Sequence, residues 1–240
     1  MKSIFSILLI LVISFMGCKQ DSFDPEIKDD KLINLSPEFE RYLIDAKIDT
    51  ESKPDLMISY GKIKNIDSLH IYLEGNRNSL KGLEYFTNLK YLKFTGLQKS
   101  TDISNQYYYT PINGLIKEFI PAIDTLDVSK NINLEYLDCS GKSDGGGYYS
   151  SIGNLKFGKN TKLKTVISKF SMMASLDLSQ LTALEELDIV ECYNLPVVSL
   201  CKNKKLTKLR SWQVKQFYIS SKSLIKTDWV VGAAIYSECE

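Results

Sequence analysis

One histidine, His70, stands among 240 residues, so any Ser-His-Asp or Cys-His relay would have to run through that imidazole. His70 falls at a variable position of a strand motif, where alternation turns it outward, and it is read as a surface contact residue. Zinc-ligand clusters and calcium-loop spacings are lacking. Gly145-Gly146-Gly147 lacks the Lys-Ser/Thr ending of a phosphate loop and reads as a flexible insertion. No catalytic residue, metal or cofactor is therefore assigned. Net charge is also lacking: 30 basic residues face 29 acidic ones, and removing residues 1–17, which hold Lys2 and no acid, leaves 29 against 29. That balance gives no ground for a nucleic-acid partner, which calls for a basic patch or stripe. Cysteine is sparse. Cys139, Cys192, Cys201 and Cys239 are too few for a disulfide-dependent scaffold of this length, and a disulfide between some pair of them stays open.

An apolar run long enough to span a bilayer, roughly 20 residues, is lacking at the N-terminus too. Lys2 precedes an apolar stretch from Ile4 to Met16, which ends at Gly17-Cys18. This is the order of a secretory signal peptide over 1–17. Phe15-Met16-Gly17-Cys18 resembles a lipobox, with Phe where Leu is preferred. The resemblance implies cleavage before Cys18 and lipidation of that residue, with several acyl chains holding the mature chain on a membrane. Residues 18–31, rich in Asp and Glu and containing Pro25, read as a flexible tether. In some lipoproteins a short acidic stretch at this place directs the protein to the outer face of the outer membrane; a plain solvated linker is the other reading.

What the chain does have is repetition. Ile66-Asp-Ser-Leu69-His-Ile71, Leu89-Lys-Tyr-Leu92-Lys-Phe94, Leu134-Glu-Tyr-Leu137-Asp-Cys139, Leu163-Lys-Thr-Val166-Ile-Ser168, Leu184-Glu-Glu-Leu187-Asp-Ile189 and Leu206-Thr-Lys-Leu209-Arg-Ser211 share one frame. The second apolar position recurs at intervals of 23, 45, 29, 21 and 22 residues, and units of roughly 20–29 are those of a leucine-rich repeat. The 45-residue interval is read as two units, with a degenerate copy around Ile112-Asn113-Gly114-Leu115. The 29-residue interval holds the glycine insertion, which must loop out. A second phrase, Leu126-Asp-Val-Ser-Lys-Asn131, recurs from Leu155 and from Leu176, each time 8 residues before the strand motif.

These two phrases together, over about residues 63–219, resemble the internalin-like leucine-rich-repeat proteins of bacteria, of the lipoprotein-anchored kind. The resemblance implies an α/β repeat fold: a solenoid with a parallel β-sheet on its concave face and an irregular convex side. One repeat cannot bury its apolar edge alone, so units stack and the ends need covers. Residues 32–62 are read as the N-terminal cap, with a helix across Leu32–Asp49 that starts at a Ser36 cap and Pro37. Residues 220–240 are read as the C-terminal cap, with Trp229 to Tyr236 closing the last coil as a strand. Cys139 takes a core position, and Cys192 falls where the repeat pattern allows Asn or Cys.

Outward strand positions then gather Tyr91 and Lys93, Tyr136 and Asp138, Thr165 and Ile167, Glu186 and Asp188, and Lys208 and Arg210, with Trp212 just beyond. Tyr, Trp and Arg are enriched at interface hot spots, and this face is read as the ligand-binding surface. Glu186 and Asp188, a carboxylate pair of the kind a glycosidase uses, fit a solvated charged row better. Tyr107, Tyr108, Tyr109, Tyr148 and Tyr149 lie in the irregular gaps, either as contact residues or as local core. The function expected is that of a non-enzymatic, monomeric, lipid-anchored protein at the bacterial outer-membrane surface, binding an extracellular protein or glycan. The alternative is a periplasm-facing scaffolding lipoprotein of a membrane complex. A glycan-degrading enzyme ranks third.

Overall fold

A computed structural model describes residues 27–50, 53–75, 78–97, 121–143, 148–149, 151–212, 214–220, 226–231 and 235–239. Cys18, the signal peptide, Tyr107–Tyr109, Ile112–Leu115 and the three glycines lie outside these residues.

The described chain opens with β1 (Leu32–Asn34), α1 (Pro37–Asp45), β2 (Met57–Ser59) and the single turn α2 (Tyr60–Ile63). β1 and β2 pair antiparallel with Ile33 opposite Ile58, and both side chains are buried with Phe39, Leu43 and Ile63. The helix is shorter than Leu32–Asp49, because the exposed-buried-exposed alternation of Leu32-Ile33-Asn34 suits an extended edge. Pro37 sits in the first turn as expected, but Ser36 makes no side-chain cap bond; its hydroxyl donates instead to the Ser79 carbonyl at 2.5 Å. Glu40, fully buried, accepts the N–H groups of Asp55 and Leu56 and so fastens the return segment to the helix.

The repeats follow. β3 (Ser68–Glu74) leads through a 3-10 turn at Leu83–Tyr85 to β4 (Tyr91–Leu97); then come β5 (Ile123–Asp127), β6 (Tyr136–Asp138), and the two short strands β7 (Lys142–Ser143) and β8 (Tyr148–Tyr149). β9 (Ile152–Lys156), β10 (Thr165–Ile167), β11 (Glu186–Ile189), β12 (Val197–Ser199), β13 (Lys208–Trp212), β14 (Gln216–Ile219), β15 (Lys226–Val231) and β16 (Ile235–Glu238) complete the order. Seven strands form one parallel sheet in the order β15-β13-β11-β10-β6-β4-β3. Its register is that of the repeat: Leu69, Leu92, Leu137, Val166, Leu187 and Leu209 face one another strand by strand. Each is at most 2% exposed, and full burial of such a side chain is worth about 1.5–3 kcal/mol. In-register parallel strands of this kind fit a leucine-rich-repeat fold.

Three expectations need correction. The far side of the repeats is more regular than expected, since β5 pairs with β9 and β12-β14-β16 form a second parallel sheet. Among the described residues no helix follows Leu83–Tyr85, so the described units are strand-and-turn rather than α/β. Their return legs explain this: Leu126 and Val128, or Leu176 and Leu178, are buried two residues apart, the period of an extended chain. The 45-residue interval, in turn, adds no strand to the main sheet, because β4 is bonded directly to β6 with Tyr91 opposite Tyr136. The seven-residue insertion leaves the repeat as an antiparallel pairing of β7 with β8.

Beyond Ile219 the chain continues both sheets. β15 adds to β13 and β16 to β14, each parallel. Cys201 and Cys239 form a disulfide that ties the end of β16 to the turn before β13, while Cys139 and Cys192 are free thiols buried in the core.

Between coils the turns are joined by asparagine. Asn131 donates to the carbonyls of Leu83 and Phe86, Asn160 to those of Val128 and Asn131, and Asn203 to those of Leu178 and Leu181. Each fully or nearly fully buried amide thereby adds a second hydrogen bond to two carbonyls of the preceding turn, which already accept a main-chain N–H within that turn, and its own buried NH2 group finds both its acceptors there. Coils also approach closely at Gly158, where a Cβ would sit 2.6 Å from the Ser129 carbonyl oxygen.

Candidate ligand-binding face

Alternation in the seven-stranded sheet sends the marker leucines inward and their neighbours to the opposite face. Register brings the outward residues into two rows. The first runs Ser68, Tyr91, Tyr136, Thr165, Glu186, Lys208; the second runs His70, Lys93, Asp138, Ile167, Asp188, Arg210. All nine residues expected on the binding face therefore come together on one sheet, with Trp212 ending β13 two positions beyond Arg210.

The face divides into an aromatic and a charged region. Tyr91 and Tyr136 stack with ring centroids 4.5 Å apart and planes 5° from parallel. Burial, the nearby Asp138 carboxylate and the contact with Tyr91 push the Tyr136 hydroxyl up to about 12, so the Tyr136 ring stays neutral at physiological pH. Tyr91 remains 38% exposed, leaving a hydrophobic edge with a hydroxyl rim open to a partner. Tyr72, in a third row opposite Thr95, is 44% exposed, and the Lys142 ammonium lies 5.7 Å from its ring centroid. Sequence reasoning missed Tyr72 and Lys142. The strand alternation continues past Ile71 to Leu73, and carrying it that far would have found Tyr72.

Charges on the rest of the face are largely paired with one another. Lys208 reaches Glu186 at 3.3 Å, Arg210 reaches Asp188 at 3.7 Å, and Lys93 reaches Asp138 at 3.8 Å. The reading of Glu186 and Asp188 as a solvated row fails for Asp188, which is only 4% exposed. Burial raises its carboxyl above the ordinary range, against the opposing pull of Lys169, the Val190 N–H and Arg210. Asp188 thus positions Arg210 more than it presents itself to a ligand. Lys169 is a third residue, after Tyr72 and Lys142, that sequence reasoning missed, and the strand pattern does not single it out.

Nucleophilic chemistry finds little support in this arrangement. Burial pushes the Cys139 thiol up to about 12 and the Cys192 thiol to about 11, so neither is an accessible thiolate. His70 is exposed on the outward row. Among the described residues no group of three or more His, Cys, Asp or Glu side chains is placed to hold a metal ion, and no helix is long and apolar enough to cross a membrane.

No protein-family model matches the sequence, and no curated protein does. Among solved structures the chain is similar to an internalin (inlF) from Listeria monocytogenes, at 17% identity and a TM-score of 0.36, over 85% of this chain and 71% of that one. It is also similar to the functional domain of InlJ from Listeria monocytogenes, described as including a cysteine ladder, at 18% identity and a TM-score of 0.24 over 84% of this chain; it spans 55% of that domain's length.

Proposed function

We propose that this chain is an exported leucine-rich-repeat solenoid, anchored by lipid at Cys18 to the bacterial outer membrane, that binds a protein or glycan at the cell surface without catalysis. The observation that carries the reading is the Tyr91–Tyr136 stack, set among register-aligned polar rows on one continuous sheet face. Flat, rigid aromatic side chains give large contact area at low entropic cost. Tyr91, Tyr136 and Trp212 are the proposed anchors, with Lys93, Asp138, Glu186, Lys208 and Arg210 setting charge complementarity around them and Asp188 holding Arg210 in place. The Cys201–Cys239 disulfide supports export, since such bonds persist in oxidising compartments. The chain acts as a monomer with no bound cofactor.

Protease treatment of intact cells expressing the full-length protein tests the location, with Cys18→Ala as control. The reading expects wild-type protein to be digested from intact cells and the control to be released or mislocalised. Protection of the wild type would instead favour a periplasm-facing scaffold. Pulldown of surface ligands with Tyr136→Ala and Trp212→Ala then tests the face itself.

A further inference from the structure

Near-neutrality of the whole chain hides a segregation of charge. From Cys192 to Thr227 the sequence holds seven Lys, one Arg and no Asp or Glu. Lys202, Lys204, Lys205, Lys208, Arg210 and Lys215 are all exposed, and they fall on three successive parts of one coil. The first three occupy the turn, the next two the sheet face on β13, and Lys215 the return leg before β14. Among the described residues no carboxylate lies within ion-pair distance of Lys202, Lys204, Lys205 or Lys215.

The turn is also held firmly. Asn203, between the lysines, bonds both Leu178 and Leu181 carbonyls at 2.9 Å. Cys201, adjoining Lys202, is locked to Cys239. Mutual repulsion of three cations in four residues would favour spreading the turn; these two clamps oppose it, and a preorganised cluster loses less entropy on binding.

We infer that the coil from Cys201 to Ile219 is a binding site for an acidic polysaccharide, the negatively charged groups of a uronate-type chain lying against the lysines. This deepens the proposed surface-binding role by naming the ligand's chemistry, and it rests on that role for its extracellular setting. A folded acidic protein would need an apolar centre to its interface, whereas the exposed residues here are cations spread around a rim. A flexible polyanion needs such distributed cations, with flat rings on which sugars can rest. Trp212, half-buried, follows Lys208 and Arg210 on the same face, and Tyr218 on β14 is 36% exposed. An anionic membrane is a poorer fit: five strand spacings of roughly 4.8 Å set β13 about 24 Å from β3, the strand that follows the N-terminal cap.

Both tryptophans of the chain, Trp212 and Trp229, fall in or beside the basic stretch, so their emission provides the readout. The mature protein is titrated with polygalacturonate, neutral dextran, duplex DNA and phosphatidylglycerol vesicles, each at two salt concentrations. Saturable, salt-sensitive binding to polygalacturonate and none to dextran is the expected result. Lys202→Glu/Lys204→Glu/Lys205→Glu should weaken it at least about tenfold, since three exposed pairs of up to about 1 kcal/mol each are reversed. Arg41→Glu/Lys53→Glu, on the N-terminal cap, should leave it unchanged. Thermal melts establish that each variant is folded, and Lys204→Gln/Lys205→Gln replaces the triple variant should that one unfold. Equal binding by folded wild type and variant, no polygalacturonate binding, or tighter binding to DNA or vesicles would overturn the inference. Surface digestion and the Tyr136→Ala pulldown would still read out the broader proposal in that event.

Discussion

The side-chain amide of Asn160 donates to the main-chain carbonyl of Asn131 across 2.9 Å, and the amide of Asn131 in turn reaches back to Leu83 and Phe86. Coil is thus joined to coil by paired hydrogen bonds in a buried turn. Removing the amide leaves each carbonyl only its bond from the turn's own N–H, at about 0.5–1.5 kcal/mol for each hydrogen bond lost.

Asn160→Ala is expected to lower unfolding stability by about 2–4 kcal/mol in a denaturant titration. It should cost more than Asn131→Ala or Asn203→Ala. The Oδ1 of Asn160 also accepts the Gly158 N–H at 2.8 Å, whereas the Oδ1 atoms of Asn131 and Asn203 have no partner. An Asn160 variant no weaker than the other two would count against this order.

Tyr91 and Tyr136 should couple in a double-mutant cycle. Single replacements by Leu, the double replacement and wild type, compared by thermal unfolding, are expected to give an interaction of about 0.5–1.5 kcal/mol. Zero coupling would mean that the stacked rings contribute only through the area they bury.

Asp188 should respond to pH in the sense opposite to a carboxylate stabilised by folding. Its folded value is raised, chiefly by burial, so the folded state holds this proton more tightly than the unfolded chain does. The resulting cost is fully present above the raised folded value. It fades as pH falls through that value toward the unfolded one. Asp188→Asn is therefore expected to stabilise at pH 7, and the difference from wild type should shrink as the melts approach pH 4. A gain independent of pH would point to packing instead.

Reducing the Cys201–Cys239 bond should loosen the C-terminal strands first. With the cysteines 38 positions apart, the chain-entropy cost is about 3–4 kcal/mol. Hydrogen exchange should show early loss of protection in β15 and β16 and retention in β3, β4 and β6. Uniform loss across the sheet would mean that the array unfolds as one cooperative unit.

Much of the repeat was legible in the sequence. The spacing of Leu69, Leu92, Leu137, Val166, Leu187 and Leu209 placed six strands and their core-facing positions, though not the direct pairing of β4 with β6, because a side chain in a strand faces the core only at every second residue. The same alternation listed the outward residues Tyr91 to Trp212. The partners of those residues were another matter. Whether Asp188 would be solvated or buried against Arg210, and whether Tyr91 would meet Tyr136, depended on which strands became neighbours across the long interval.

What the sequence determined by itself, then, was local periodicity: the identity of the core positions, the length of the unit and the direction of each side chain. Tertiary structure alone decided that β4 lies directly beside β6, that Asn131, Asn160 and Asn203 bridge successive turns, and that Cys201 meets Cys239. Those relationships join residues from about 20 to 48 positions apart. Periodicity fixes what each unit must bury, but contacts between units depend on how stacked backbones are placed in space.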